Sequence, residues 1–236
     1  MPRNFPKNSH FLGPRAGNFG KRHSMFTNAV SKNAKGALAI LGKSGLLSKA
    51  YLAGGTACAL WLGHRYSFDL DFFTNVEFET ELTVKQLESF PGFTLQRTEK
   101  WTILGTFPEV KFSFFYYPYP LIRRTSSFLQ INIASLPDLA AMKIAAICDR
   151  GTKRDFIDLY LIVRQGFSLS KVLSFYDSKY KKLSNNAYHI IRSLQYFRDA
   201  DGEQEMPQMI EKISWDEVKK FFTAETRSLT KKILEI

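Results

Sequence analysis

Asp69 and Asp71 stand one residue apart inside the apolar run Phe68-Asp69-Leu70-Asp71-Phe72-Phe73. In an extended strand alternate side chains share a face, so the two carboxylates point one way while Phe68, Leu70 and Phe72 point the other. Adjacent carboxylates repel each other. The usual reason to keep such a pair is a divalent cation, a hard ion that prefers oxygen ligands and bound phosphates. Upstream, Gly54-Gly55-Thr56 leads into the apolar stretch Ala57 to Leu62, which reads as a short helix capped by Thr56 and closed by Gly63. A glycine turn at a helix N-terminus offers backbone N–H donors to a phosphate.

Together these features suit nucleotide transfer, in which a hydroxyl attacks an α-phosphate in line. Two metals about 3.5–4 Å apart stabilise the attacking and leaving oxygens, and a Lys or Arg neutralises the departing pyrophosphate. Each motif alone is common, and the competing reading is a loop glycine pair beside a solvated acidic strand face. The two joined by a helix of one or two turns are more specific.

A second block offers cations. Lys143, Ile147 and Arg150 fall at i, i+4 and i+7 and share a helix face, from which Lys143 can reach a cleft. The plain alternative is a surface lysine. Asp155 and Asp158 are three apart and also share a face, where salt bridges to Arg150, Lys153 or Arg154 compete with an active-site role. Ser113 is the polar residue in the middle of the strand 109–117, with Glu109 only at its beginning. His64 reads as a helix-terminal histidine, Phe114 to Tyr119 as aromatic packing with base stacking as the rival, and Lys179, Lys181 and Lys182 as a solvated helix end with RNA contact as the rival.

The run YLAGGTACALWLGHRYSFDLDFFT resembles the N-terminal motif of the AbiEii/AbiGii nucleotidyltransferase toxin family, part of the DNA polymerase β-like nucleotidyltransferase superfamily. The segment from Met142 to Tyr160, including Arg150-Gly151-Thr152-Lys153-Arg154-Asp155, resembles that family's second block. The resemblance implies metal binding by Asp69 and Asp71 and phosphate contact by Gly54, Gly55 and Thr56. It implies that Lys143 faces the nucleotide, that Asp155 and Asp158 position the site or support the metal, and that Arg65 and Ser67 are polar site positions before the acid pair. The implied activity is transfer of an NMP from an NTP to an acceptor hydroxyl with Mg²⁺ in a two-ion site, or Mn²⁺. The implied acceptor is RNA of tRNA type, and the implied setting a toxin–antitoxin or phage-defence pair with a cognate antitoxin. The rivals are an NTP-binding protein with weak or no transfer, favoured by Ser113 where many members of the wider superfamily carry a third carboxylate, and an enzyme nucleotidylating protein.

The elements that must position these groups divide at about residue 134. Helices are expected at 28–42, 57–62 and 80–90, and strands at 67–74, 93–97, 101–106, 109–117 and 128–133. Ser135-Leu136-Pro137-Asp138 is a helix-start signal. From it helices are expected at 136–149, 153–164, 168–181, 185–198 and 214–234. The expected fold is α+β: a polymerase β-like core, a small mixed sheet with helices, over 25–134, and a helical region over 135–236 that completes the cleft.

Composition sets the remaining bounds. At 236 residues, 44% hydrophobic and 14% aromatic, the chain can bury a sizeable core. Of its net charge of +11, residues 1–50 supply nine Lys or Arg and no acid, and the other 186 residues 24 basic against 22 acidic, only +2. Residues 1–24 therefore read as a disordered basic arm. It is suited to RNA through counterion release, or serves as a solubilising tail, or precedes a start at Met25. No apolar run spans a membrane. Cys58 and Cys148 read as buried free thiols in a reducing cytoplasm.

Overall fold

A computed structural model describes residues 25–233. The basic arm, residues 1–24, lies outside the described residues. A seven-stranded mixed sheet has the order β3-β4-β5-β2-β1-β7-β6. Its strands are β1 (Tyr51–Leu52), β2 (Leu70–Thr74), β3 (Thr94–Glu99), β4 (Thr102–Phe107), β5 (Val110–Tyr116), β6 (Ser126–Phe128) and β7 (Ile131–Ile133). β2 pairs with β5 in parallel, as does β1 with β7, and the remaining pairs are antiparallel. The expected α+β class with a mixed sheet is what the chain forms.

One face of the central strands is aromatic. Leu70 and Phe72 of β2 and Phe112 and Phe114 of β5 are buried. The Phe72 and Phe112 rings lie 5.7 Å apart, and Phe78 stacks on Phe114 at 4.3 Å. The residues between them, Asp71 on β2 and Ser113 on β5, are only half-buried and face each other directly across the parallel pair. Period-two alternation thus places Asp71 and Ser113 on the face opposite Phe72 and Phe112, which they share with Phe73 and Phe115.

The helices before the last strands are α1 (Lys32–Ser44), α2 (Gly54–Leu62) and α3 (Thr80–Glu88). Those after them are α4 (Leu136–Asp149), α5 (Lys153–Arg164), α6 (Leu169–Tyr180), α7 (Leu183–Ser193), α8 (Arg198–Gly202) and α9 (Trp215–Ile233). α4 begins as expected: the Ser135 side chain accepts from the Asp138 N–H, with Pro137 in the first turn. The hydrophobic core runs without a break from Leu38 and Leu52 through Cys58 and Phe72 to Ile144, Ile157 and Phe222, across the boundary at residue 134.

Five expectations need correction. The acid-bearing strand is shorter than 67–74: β2 starts at Leu70, Asp69 precedes it, and Phe68 is 40% exposed instead of entering the core. α2 starts at Gly54, so Thr56 is inside the first turn and Ala53 is the N-cap. The run 128–133 is the turn and second strand of a hairpin, because Leu129 and Gln130 both take positive φ and reverse the chain without a glycine. α1 passes Gly42 and stops at Gly45. Gly42 lies inside the helix, and it marks a close approach and not a helix end: a Cβ there would lie 1.9 Å from the Leu129 carbonyl oxygen. The helix expected at 185–198 spans Leu183–Ser193 as α7 and ends early, and a separate short helix, α8, begins at Arg198.

Candidate active site

α2 points its N-terminus at the acid pair. The Ala53 N–H donates to the Asp71 carbonyl at 2.9 Å, which fixes the turn against β2. Gly54 then takes φ +63°, a conformation that favours glycine. A Cβ on Gly54 would lie 2.5 Å from Asp71 Oδ2, and one on Gly55 would lie 2.4 Å from Arg65 Nη2. Glycine is required at both positions because another side chain's polar head occupies the space. The first N–H groups of α2 have no intrahelical acceptor and make an anion-binding end beside the carboxylates.

Asp71 carries an electrostatic penalty. Burial, and then the neighbouring Asp69 carboxylate, push its pKa up, while Lys143, a hydrogen bond from Ser113 and Arg150 only partly offset them. Asp69 is half-buried and opens into a cleft of about 640 Å³, lined also by Thr94, Thr106, Glu109 and Lys111. Among the described residues no group of three or more His, Cys, Asp or Glu is arranged to hold a metal ion. The position opposite Asp71 that could have held a third acid holds Ser113. Two carboxylates with unrelieved mutual repulsion and a hydroxyl beside them fit one divalent cation, whose charge would remove the penalty on Asp71. A further ion would need oxygens from the substrate.

The other polar residues form a buried ion network between the α2–β2 loop and the helical half. Arg65 donates through Nε and Nη2 to both Asp158 oxygens, each at 2.8 Å. His64 Nε2 lies 2.7 Å from Asp158 Oδ1, and His64 Nδ1 is buried with no hydrogen-bond partner among the described residues. Lys143 Nζ bridges Asp158 at 2.7 Å and Asp155 at 2.9 Å. Arg150 grips Asp155 through Nε at 2.9 Å and Nη2 at 3.2 Å, and Thr152 donates to the same carboxylate at 2.7 Å. Asp155, Asp158, Lys143 and Arg65 are all buried, whereas the Arg150 side chain is 58% exposed.

Charge balance keeps these groups ionised. Burial alone would raise Asp158, but Arg65 and Lys143 hold it well below the usual carboxylate range. Asp155 is likewise lowered by Lys143 and Arg150 against its burial. Burial would lower the Lys143 ammonium, and the Asp158 and Asp155 carboxylates reverse that and raise it.

The sequence candidates therefore separate into two groups. Gly54 packs against Asp71, Asp69 opens into the cleft, and these three with Gly55 are half-buried at the front. Arg65, Ser67, Thr56, Lys143, Asp155 and Asp158 lie directly behind it, with their polar atoms engaged by protein. Thr56 is buried, and its hydroxyl hydrogen-bonds Ser67 Oγ at 2.9 Å and the Asp69 carbonyl. Lys143 is not a surface lysine, and the salt bridges weighed for Asp155 and Asp158 are formed, with Lys143 and Arg65 added as partners. The sequence suggests Arg150 only as a salt-bridge partner; its exposure beside this network is readable there only as its place on the Lys143 helix face.

Elsewhere, Lys179 is fully buried between Asp138 Oδ1 and the Pro120 carbonyl, both at 3.0 Å, so it belongs to no basic patch. Tyr117 meets Tyr180 through their hydroxyls within an aromatic cluster, as the packing reading of that run expects. Cys58 is a buried free thiol pushed up by burial, and Cys148 is free and half-buried.

A mixed sheet with an acid pair facing a helix N-terminus is the arrangement of a nucleotidyltransferase. The family model described as "Nucleotidyl transferase AbiEii toxin, Type IV TA system" matches residues 36–229, and the chain belongs to this family of type IV toxin–antitoxin nucleotidyltransferases. It is 36% identical to the uncharacterized protein aq_aa25 of Aquifex aeolicus (strain VF5) over 198 residues, 82% of this chain and 94% of that protein. Its fold is similar to that of MenT4, the nucleotidyltransferase toxin Rv2826c of Mycobacterium tuberculosis H37Rv (TM-score 0.51, 15% identity, 84% of this chain and 85% of that one). It is also similar to JHP933 from Helicobacter pylori (TM-score 0.50, 17% identity, 85% and 91%). No helix among the described residues is long and apolar enough to cross a membrane.

Proposed function

We propose that this toxin transfers an NMP from an NTP to an acceptor hydroxyl with Mg²⁺ held by Asp69 and Asp71, and that the acceptor is RNA. The observation that carries this reading is the contact of the α2 N-terminus with the acid pair, in which Gly54 leaves no room for a Cβ against Asp71 Oδ2. The triphosphate lies against the free N–H groups of α2. The acceptor oxygen attacks the α-phosphorus, the bond from that phosphorus to the β-bridging oxygen breaks, and pyrophosphate leaves. Bound Mg²⁺ supplies Lewis-acid polarisation of the phosphate oxygens. Asp69, with no hydrogen bond or ion pair to its carboxylate among the described residues, is the group open to the hydroxyl proton. The buried network holds α2 and the acid pair in register and sets positive charge behind them, so that developing negative charge is met by fixed groups.

RNA is favoured by the basic excess of residues 1–50. A cytoplasmic setting with a cognate antitoxin follows from the same reading. A second reading, NTP binding with weak or no transfer, is favoured by Ser113 in the third-acid position opposite Asp71. Incubation of the full chain with each α-labelled NTP, total RNA and total protein tests both. Label in RNA that disappears in Asp71→Asn supports the proposal. Label in protein moves the acceptor to a side-chain hydroxyl, and NTP binding without label in either leaves the second reading.

A further inference from the structure

We infer that Arg150 is the phosphate-gripping cation of this site, the residue that takes the β- and γ-phosphates of the NTP and then the leaving pyrophosphate, with Asp155 as its positioning residue. This rests on the nucleotidyl-transfer reading above and assigns within it a role that Lys143 would otherwise be given.

The cations of the network differ in which donors they have free. Lys143 Nζ lies 2.9 Å from Asp155 and 2.7 Å from Asp158, and its side chain is 6% exposed. Its charge is bound to two carboxylates, and drawing it outward would leave both buried and short of a counter-charge. Arg65 is 5% exposed at its side chain, with Nε and Nη2 on Asp158 and Nη1 on the Tyr66 carbonyl at 3.2 Å. Arg150 differs from both. Its Nε and Nη2 hold Asp155, while among the described residues no hydrogen bond engages Nη1, and 58% of the side chain is exposed. It is thus fixed at one edge of the guanidinium and open at the other, a preorganised phosphate donor.

Its location suits the role. Arg150 is the C-cap of α4, and Asp155 is in the first turn of α5, so a short loop holds the guanidinium at the junction of the two helices. A chain of contacts ties it to the glycine turn: Arg150 holds Asp155, Lys143 bridges Asp155 to Asp158, and Asp158 holds Arg65, whose Nη2 fills the space beside Gly55. The network also explains why Asp155 is an acid: Lys143 stabilises it from inside, and it in turn orients Arg150 outward. Arg154, four residues along and exposed, makes no ion pair among the described residues and is the natural control.

The test uses the full chain and inorganic pyrophosphate with Mg²⁺ as probe, measured by calorimetry, alongside NTP binding and labelled transfer. Arg150→Ala weakens pyrophosphate binding by about tenfold or more, roughly 1.4 kcal/mol, with unchanged far-UV circular dichroism. Arg150→Lys recovers only part of the loss, because a point charge cannot hold Asp155 bidentately and face phosphate as well. Arg154→Ala binds as the parent does. Asp155→Asn also weakens pyrophosphate binding, and a nucleoside monophosphate, which lacks the β- and γ-phosphates, is bound equally by the parent and Arg150→Ala. A parent that binds pyrophosphate and transfers label, with Arg150→Ala doing both equally well, overturns the inference and leaves the transfer reading standing. A parent that neither binds NTP nor transfers label removes both.

Discussion

Gly54→Ala should separate the stability of this protein from its activity. The left-handed backbone at Gly54 costs a residue with a Cβ about 1–2 kcal/mol. The new methyl would also sit 2.5 Å from Asp71 Oδ2, whereas ordinary contact begins at 3.4 Å, so the carboxylate must retreat by about 0.9 Å. Displacing a reacting group by roughly 1 Å lowers turnover on the order of 100-fold. The expected outcome is a loss of about 1–2 kcal/mol in urea unfolding and a fall in labelled-NTP transfer of roughly two orders of magnitude. Gly36→Ala is the matched control: it lies in α1 with nothing within 4 Å of the added Cβ, and it should gain about 0.5–1 kcal/mol with transfer unchanged. A Gly54→Ala enzyme that transfers at the parent rate would refute the contact between the glycine turn and Asp71 as the basis of the site.

Asp69→Asn and Asp71→Asn should each abolish transfer, and parent-level label in either would remove the carboxylate assignment. Asp71 has a raised pKa, so its protonated form is favoured by folding; that stability is complete below the ordinary value of 3.8 and is lost as pH rises through the raised folded value. Asp71→Asn should therefore melt higher than the parent at pH 7 without metal, the gap closing in acid and narrowing when Mg²⁺ is added. Asp158→Asn leaves Arg65 and Lys143 buried with too little counter-charge and should cost about 3–5 kcal/mol in urea unfolding; a loss under about 1 kcal/mol would show the network to be solvated. Ser113→Asp places a third acid opposite Asp71 and should lower the melting temperature without metal while raising transfer, which distinguishes a weak transferase from a pure binder. Removing residues 1–24 should reduce the salt slope of RNA binding by roughly 0.7 for each phosphate that the arm neutralises, with NTP affinity unchanged; identical slopes would make the arm a solubilising tail.

The front of the site is more legible in the sequence than its back. Local signals are strongest where chain chemistry alone decides: the bounds expected for α4 and α5 are those observed, because Ser135 and Pro137 mark one start and Gly151 breaks the run between the helices. The acid pair and glycine turn are visible because spacing on a strand and at a helix start is a local property. The partners of Arg65, Lys143, Asp155 and Asp158 are not, since Arg65 and Asp158 are 93 residues apart and only the docking of α5 on α2 brings them together. β1 is two residues long and carries no period, and the hairpin at 126–133 turns on Leu129-Gln130, a pair without turn chemistry. Phe68 reads as core only because alternation is extended beyond the true start of β2.

The linkage of Arg65 to Asp158 also has a consequence for how such a toxin comes into being on the ribosome. A nascent chain that has emerged only through β7 already possesses its glycine turn and both carboxylates of the acid pair, yet lacks every acid that neutralises Arg65 and every cation supplied by α4. Until α5 emerges and docks, Arg65 has no interior carboxylate to draw the α2–β2 loop inward. A chain that stops before residue 158 lacks the carboxylate that holds Arg65 and is expected to show no label transfer from an α-labelled NTP. The network is completed only when the second half of the chain packs against the first, within one continuous core.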